Sequence, residues 1–220
     1  MAYSFLIFDL DGTLIDSQED ITSAVNCVRG ELNFSPLRID EVRACLGSGI
    51  KSLIDKVVPG QNAEIREDAI ERFKFHYGKC LTDTTKLYSG VPEMLEALKD
   101  VKKAVLSNKT EGFSREIIKR LGLSKYFVEI WGGDTLSVKK PDPQPILDLI
   151  KNVKADINKT LMIGDSANDF KAAKAAGVKC AAVLYGYSTL SQINEFNPDY
   201  LIKQPFEITE IVRGSGGRGN

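Results

Sequence analysis

The sequence predicts an α/β chain: a parallel sheet with helices on both faces, interrupted after its first strand by an all-helical insertion. Three observations predict it. A short apolar run near the start, Phe5-Leu6-Ile7-Phe8, ends at a pair of acids. From residue 16 to about residue 82 the apolar residues recur only at helical spacing. From about Leu87 onward, short apolar runs alternate with helical stretches, which is the pattern of strand–helix–strand units.

The elements follow in order. Phe5 to Phe8 is a strand. Ser17 to about Leu32 is a helix, with Ser17 and Asp20 at capping-box spacing. Asp40 is placed to N-cap a short helix that ends near Gly47. Ile50 to Val57 and Ala63 to Cys80 follow as helices, the second carrying Ile65, Ala69, Ile70, Phe73 and Tyr77 near helical spacing. Pro92 suits the first turn of a helix. Lys103 to Leu106 is a strand, and Glu111 to Leu121 a helix stopped by Gly122. Val128 to Trp131 is the next strand and Pro145 to Lys151 is helical. Thr160 to Ile163 is a strand, Asn168 to Ala176 a helix stopped by Gly177, and Lys179 to Leu184 a strand. Tyr200 to Ile202 completes the set. The expected domains are a discontinuous core, 1–15 with 83–213, and a helical cap, 16–82, followed by a glycine-rich flexible tail over 214–220.

Composition bounds the function. The 220 residues suffice for one large domain or one domain with a small insertion, and 43% are hydrophobic, enough for a sizeable core. A net charge of −1 and a pI near 6.0 argue against a general nucleic-acid binder, which carries a basic surplus. No apolar run approaches the roughly 20 residues a membrane span needs. Met1 to Ser4 lack the features of a signal peptide. Cys27, Cys45, Cys80 and Cys180 are scattered, as expected of reduced thiols in a cytoplasmic protein. His76 is the one histidine, which removes multi-histidine metal sites. The expected assembly is a monomer or homodimer.

Ligands of an open parallel sheet bind beyond the carboxyl ends of its strands. The chemistry is therefore sought there. Asp9 and Asp11 follow the first strand, and alternation points both the same way. Two such acids repel unless a divalent cation offsets them; their plain alternative is an Asp-Gly turn. Ser107-Asn108-Lys109 follow the second strand of the core. Ser107 offers a hydroxyl and the helix start beyond it offers N–H groups to an anion, although a simple turn into a helix would look the same. Lys139-Lys140-Pro141 precede the Thr160 strand; Lys140 suits the neutralisation of nucleophile and phosphate, or is a solvated surface lysine. Gly164-Asp165-Ser166-Ala167-Asn168-Asp169 follow that strand. Asp165 and Asp169 share a pocket if a helix begins between them, or serve only as an N-cap and a first-turn acid. A charge count favours the joint reading. Three carboxylates, Asp9, Asp165 and Asp169, balance one divalent cation plus Lys140.

Together these four stations, Asp9-Leu10-Asp11-Gly12-Thr13, Ser107-Asn108, Lys140-Pro141 and Gly164 to Asp169, resemble the haloacid dehalogenase-like (HAD) hydrolase superfamily in order and spacing. The resemblance spans nearly the whole chain. It implies a Rossmann-like core with a helical cap that closes over the active site. It implies Asp9 as a nucleophile forming an aspartyl-phosphate, and Asp11 as the acid that protonates the leaving oxygen and then the base that activates water. Mg2+ would be held by the side chains of Asp9 and Asp165 and the backbone carbonyl of Asp11, with Asp169 behind them. Ser107, Asn108 and Lys140 would bind the phosphoryl group, with Lys139 the rival for the last role. Relatives that cleave carbon–halogen or carbon–phosphorus bonds lack an acid at the position of Asp11, so the resemblance points to phosphoryl transfer.

Finer features are similar to the phosphoglycolate phosphatase branch: Asp16-Ser17, Leu46-Gly47-Ser48-Gly49, His76-Tyr77, Tyr88-Ser89-Gly90-Val91, Ser107-Asn108-Lys109 and Gly132-Gly133-Asp134. The implied substrate is a small phosphorylated metabolite, with 2-phosphoglycolate first. Pyrophosphatases, nucleotidases and a sugar phosphomutase share much of this pattern, and a catalytically silent binding module is the alternative from another class. Gly47, Ser48 and Lys51 are candidate substrate contacts in the cap, although Gly47-Ser48-Gly49 serves equally as a plain turn.

Overall fold

The computed structural model describes residues 2–214. The chain divides into two compact units, one running up to Asp16 and again from Leu87, the other spanning Ser17–Lys86. In chain order, β1 (Phe5–Phe8) and β2 (Ile15–Asp16) are followed by the helices α1 (Gln18–Glu31), α2 (Ile39–Arg43), α3 (Ile50–Val57) and α4 (Ala63–Lys79). Next come β3 (Lys86–Leu87), α5 (Val91–Ala97), β4 (Lys102–Leu106), α6 (Glu111–Arg120), β5 (Glu129–Trp131) and α7 (Gln144–Asn152). The chain continues through β6 (Thr160–Gly164), α8 (Ala167–Ala176), β7 (Lys179–Val183), α9 (Leu190–Asn194), β8 (Tyr200–Ile202) and α10 (Glu207–Arg213).

Six strands form one sheet in the order β5-β4-β1-β6-β7-β8. Every pairing in it is parallel, with Phe5 opposite Lys102 on one side and Thr160 on the other. This is the α/β fold the sequence predicts. The middle strands read as continuous apolar runs because the sheet is covered on both faces. All four residues of β1 and all five of β6 are buried. Alternation sends Phe5 and Ile7 into a core with Leu106, Met162, Ile146, Leu149 and Phe170. Burying each such side chain contributes about 1.5–3 kcal/mol.

β1 sits between β4 and β6, although the chain visits β4 and β5 first and then returns to β6 on the other side. The strand order therefore reverses at β1, and parallel sheets leave a crevice at such a point. Asp9 is the first residue beyond β1.

The helical unit departs from the sequence reading in two places. Ser17 makes no side-chain cap bond to α1. Asp20 faces inward instead, 2% exposed, and accepts from Thr84 and Thr85 through both backbone amides and both hydroxyls. These four donors, distant in sequence, outcompete the reciprocal cap. Asp40 is not an N-cap either. The helix starts two residues earlier than that cap would place it, at Ile39 after Arg38, and the backbone amide of Arg38 donates to Glu41 at 2.8 Å. Asp40 is thereby left to pair with the Arg38 guanidinium. That helix ends at Arg43, short of Gly47.

Strands β2 and β3 and helices α9 and α10 went unseen in the sequence, being two to seven residues long. Of the expected tail, Gly214 caps α10 with φ +80°, and residues 215–220 lie outside the described part. No helix among the described residues is long and apolar enough to cross a membrane.

Candidate active site

Each acidic or hydroxyl side chain of the site stands beyond the end of a strand, and Lys140 comes from the connection between β5 and α7. β1 delivers Asp9, whose amide donates to the Ile163 carbonyl at 2.8 Å. The turn that follows requires Gly12, at φ +81°. A Cβ there would also fall 2.8 Å from the Asp165 carboxyl carbon. β4 delivers Ser107 and Asn108, and the amide of Ser107 is fixed by the Trp131 carbonyl of β5 at 3.0 Å. β6 delivers Asp165. Helix α8 then begins at Ala167, between Asp165 and Asp169, as the shared-pocket reading requires. Asp169 reaches back to Ser166, accepting from its amide at 3.0 Å and its hydroxyl at 2.7 Å.

Asp9, Asp165 and Asp169 converge: one oxygen from each lies within 4.8 Å of the others, and all three residues are buried. Lys140 lies against them, itself 2% exposed. Its ammonium donates to Asp9 at 2.9 Å, to Asp169 at 2.6 Å and to the Leu106 carbonyl at 2.5 Å. Lys139, the rival, is only partly buried. Asn108 supports the same group from behind, its side-chain amide donating to the Lys140 carbonyl at 2.8 Å.

The electrostatics show what this cluster needs. Burial pushes the Asp9 carboxyl up to about 7, against the pull of Lys140. Burial, and then Asp9 and Asp169, push Asp165 well above the usual carboxylate range. Burial alone would lower Lys140, but Asp169 and Asp9 outweigh it and hold the ammonium up at about 12. Three buried carboxylates thus have one ammonium beside them, and of the three it bonds only Asp9 and Asp169. A divalent cation that favours hard oxygen donors fits both the charge and the donor set.

Sequence reasoning gave no role to three neighbours. Lys109 turns back over the site and its ammonium bonds Asp11 at 2.7 Å, with 8% of its side chain exposed. Its position directly after Ser107-Asn108 was the available signal. The turn after β7 brings the Tyr187 amide to Asp165 at 2.8 Å and packs Gly186 against it. The strand-end rule, applied to β7 as it was to β1, β4 and β6, finds this turn. The cap candidates belong to the helical unit. Gly47 and Ser48 lie on the loop before α3, Gly49 precedes that helix at φ +83°, and Lys51 is exposed in its first turn.

The comparisons agree with this geometry. Residues 6–183 match the family described as haloacid dehalogenase-like hydrolase. The phosphoglycolate phosphatase of Aquifex aeolicus (strain VF5) is 40% identical over 210 residues, covering 94% of this chain and 95% of its own. That of Colwellia psychrerythraea is 36% identical over 204 residues, covering 89% and 90%. The crystal structure of a predicted phosphoglycolate phosphatase from Haemophilus somnus 129pt superposes with a TM-score of 0.91 at 29% identity, covering 96% of this chain and 98% of that one. The family match takes in every strand-end station from Asp9 to Asp169, and on that ground the chain belongs to the haloacid dehalogenase-like hydrolases.

Proposed function

We propose that this protein is a Mg2+-dependent phosphomonoester hydrolase that works through an aspartyl-phosphate, with 2-phosphoglycolate as its substrate. Its family and its relatives carry the reaction class, a phosphatase acting on a small phosphorylated substrate. One observation carries the mechanism: the ammonium of Lys140 binds Asp9 and Asp169 together inside a buried three-carboxylate cluster.

In this reading the Asp9 carboxylate attacks phosphorus while the ester oxygen leaves. Asp11 gives that oxygen a proton, then takes one from the water that hydrolyses the acyl phosphate, so its protonation state is restored after each turnover. Ser107 and Lys140 donate to the phosphoryl oxygens, and Asn108 holds Lys140 in place. The carboxylates of Asp9 and Asp165 and the backbone carbonyl of Asp11 would hold Mg2+, which would supply positive charge to the transferring group. Asp169 holds Lys140 and the start of α8 rather than substrate. Electrostatic stabilisation contributes most of the rate enhancement, since phosphoryl transfer leaves a protein little else to do. In the cap, Gly47, Ser48 and Lys51 select the substrate. Four free cysteines among the described residues suit the cytoplasm, where the enzyme works as a monomer or homodimer.

The test is phosphate release from a panel of esters led by 2-phosphoglycolate, with Mg2+ or EDTA, for wild type and Asp9→Asn. The expected result is Mg2+-dependent release that favours 2-phosphoglycolate and vanishes in the variant. Preference for another ester would discard the substrate and keep the mechanism. Undiminished release by Asp9→Asn would discard the mechanism.

A further inference from the structure

The turn after β7, Tyr185-Gly186-Tyr187, belongs to none of the four sequence stations, yet its backbone presses directly on Asp165. The Tyr187 amide donates to Asp165 Oδ2 at 2.8 Å. A Cβ added at Gly186 would lie 2.5 Å from Asp165 Cβ and 2.8 Å from Oδ2, and nearer still to the Gly12 carbonyl oxygen. Gly12 crowds the same carboxylate from the other strand end. Asp165 is thus held between two glycine backbones, and neither position has room for a side chain.

The turn is itself anchored. The Tyr185 hydroxyl donates to the Thr13 carbonyl at 3.3 Å, and its ring packs on Tyr88 with centroids 5.0 Å apart. The Tyr187 hydroxyl reaches Asp16 at 3.4 Å. A loop needing only to link β7 to α9 would not have to press its backbone into a buried carboxylate. One that fixes the direction of that carboxylate would, because orientation of a ligand by its surroundings governs how well a cation is held.

We propose that Tyr185-Gly186-Tyr187 is a positioning element for the divalent cation: by its backbone alone it orients Asp165, so that residue 186 sets cation affinity while supplying no ligand. This rests on the metal-dependent reading of the site given above. Filling the space at Gly186 turns Asp165 or displaces the turn, and either change weakens binding.

Calorimetric titration of metal-free protein with Mg2+ tests it on wild type, Gly186→Ala and Tyr187→Phe. Gly186→Ala should weaken binding at least tenfold and raise the Mg2+ concentration for half-maximal activity equally, with most of kcat recovered at saturating Mg2+. Tyr187→Phe keeps the amide and should change affinity less than threefold. In wild type, the Tyr187 amide resonance should move along the same Mg2+ binding curve, a measurement that stands even if Gly186→Ala does not fold. Wild-type affinity in Gly186→Ala, or a Tyr187 amide indifferent to Mg2+, would overturn the inference and leave the phosphatase intact. A wild type that binds neither Mg2+ nor Mn2+ would overturn the metal reading and this inference together.

Discussion

The ammonium of Lys109 bonds the Asp11 carboxylate at 2.7 Å, and the amide of Lys109 donates to the hydroxyl of Ser107 at 3.2 Å. One residue thus connects two strand ends, β1 and β4, across the site. It also completes the charge count. When Asp11 is ionised, Asp9, Asp11, Asp165 and Asp169 carry four negative charges, against four positive ones on Lys109, Lys140 and one divalent cation.

Lys109→Met therefore leaves Asp11 uncompensated where a phosphate dianion must bind. KM for phosphate esters should rise about tenfold, equivalent to about 1.4 kcal/mol. The double variant Lys109→Met with Asp11→Asn should regain much of that KM while kcat stays low, because the repelling charge and the proton-transfer group leave together. Steady-state kinetics on the four corners of the cycle decide it. Equal KM in Lys109→Met and the double variant would show that Lys109 acts otherwise than through Asp11.

Lys140→Met removes the cation shared by Asp9 and Asp169 and leaves buried carboxylates facing each other. Phosphate release should fall at least about a thousandfold, as when an electrostatic stabiliser of the transition state is lost. Lys140→Arg should not restore it. A planar guanidinium cannot replace a compact ammonium bonded at once to Asp9, Asp169 and the Leu106 carbonyl. Thermal unfolding in EDTA and in Mg2+ gives the companion readout: Mg2+ should recover more stability in Lys140→Met than in wild type, since the cation then supplies the missing charge.

Much of this site was legible in the sequence because strand-end placement is a strong constraint. Apolar runs mark strands, parallel strands present their carboxyl ends to one crevice, and polar residues directly after them are the candidates. Asp9, Ser107, Asp165 and Asp169 were named on that logic, and Lys140 by its place before Pro141 ahead of the Thr160 strand. What escaped depends on competition among partners distant in sequence. Nothing local distinguishes an Asp20 that caps its own helix from one that captures Thr84 and Thr85, 64 and 65 residues away. Lys109 likewise shows its role only once Asp11, 98 residues away, is brought beside it. The helices of five and seven residues near the end have too few turns for a period to show.

The capture of Asp20 predicts a stability effect with no catalytic counterpart in the core. Its carboxylate accepts from the Thr84 amide and hydroxyl at 3.0 and 2.7 Å, and from the Thr85 amide and hydroxyl at 2.8 and 2.6 Å. Thr85 is buried, so its donors have no recourse to water once the acceptor is gone. Asp20→Ala should destabilise the protein by about 2–4 kcal/mol, and Asp20→Asn, which keeps one acceptor oxygen, by about half as much. Urea unfolding measures both. Hydrogen exchange at the Thr85 amide should accelerate in Asp20→Ala ahead of amides in β1 and β6. Unchanged protection at Thr85 would show that the contact contributes nothing.

Lys103 predicts a pH dependence. It is 1% exposed on β4, and its ammonium donates to the Leu98 carbonyl, just past α5, and to the Val101 carbonyl at 2.8 Å. No carboxylate among the described residues bonds it directly, so burial dominates and draws its pKa down to about 8, against partial opposition from Asp100 and Glu96. The sign follows from linkage. Between about pH 8 and the unfolded lysine value of about 10.4, the unfolded chain binds more protons at this residue than the folded one, so folding gains as pH rises. Other groups titrate in the same range in the opposite sense: burial raises Cys80 to about 11 and lifts Tyr3, Tyr88 and Tyr185 above their ordinary values. The informative quantity is therefore the difference between wild type and Lys103→Met, in which those groups cancel. From pH 7.5 to pH 10 that difference should move in favour of wild type by up to about 3 kcal/mol, at about 1.4 kcal/mol per pKa unit. Urea unfolding in EDTA across this range checks it. A flat difference would mean that the two carbonyls stabilise the ammonium as well as water does, and that burying this lysine carries no charge penalty.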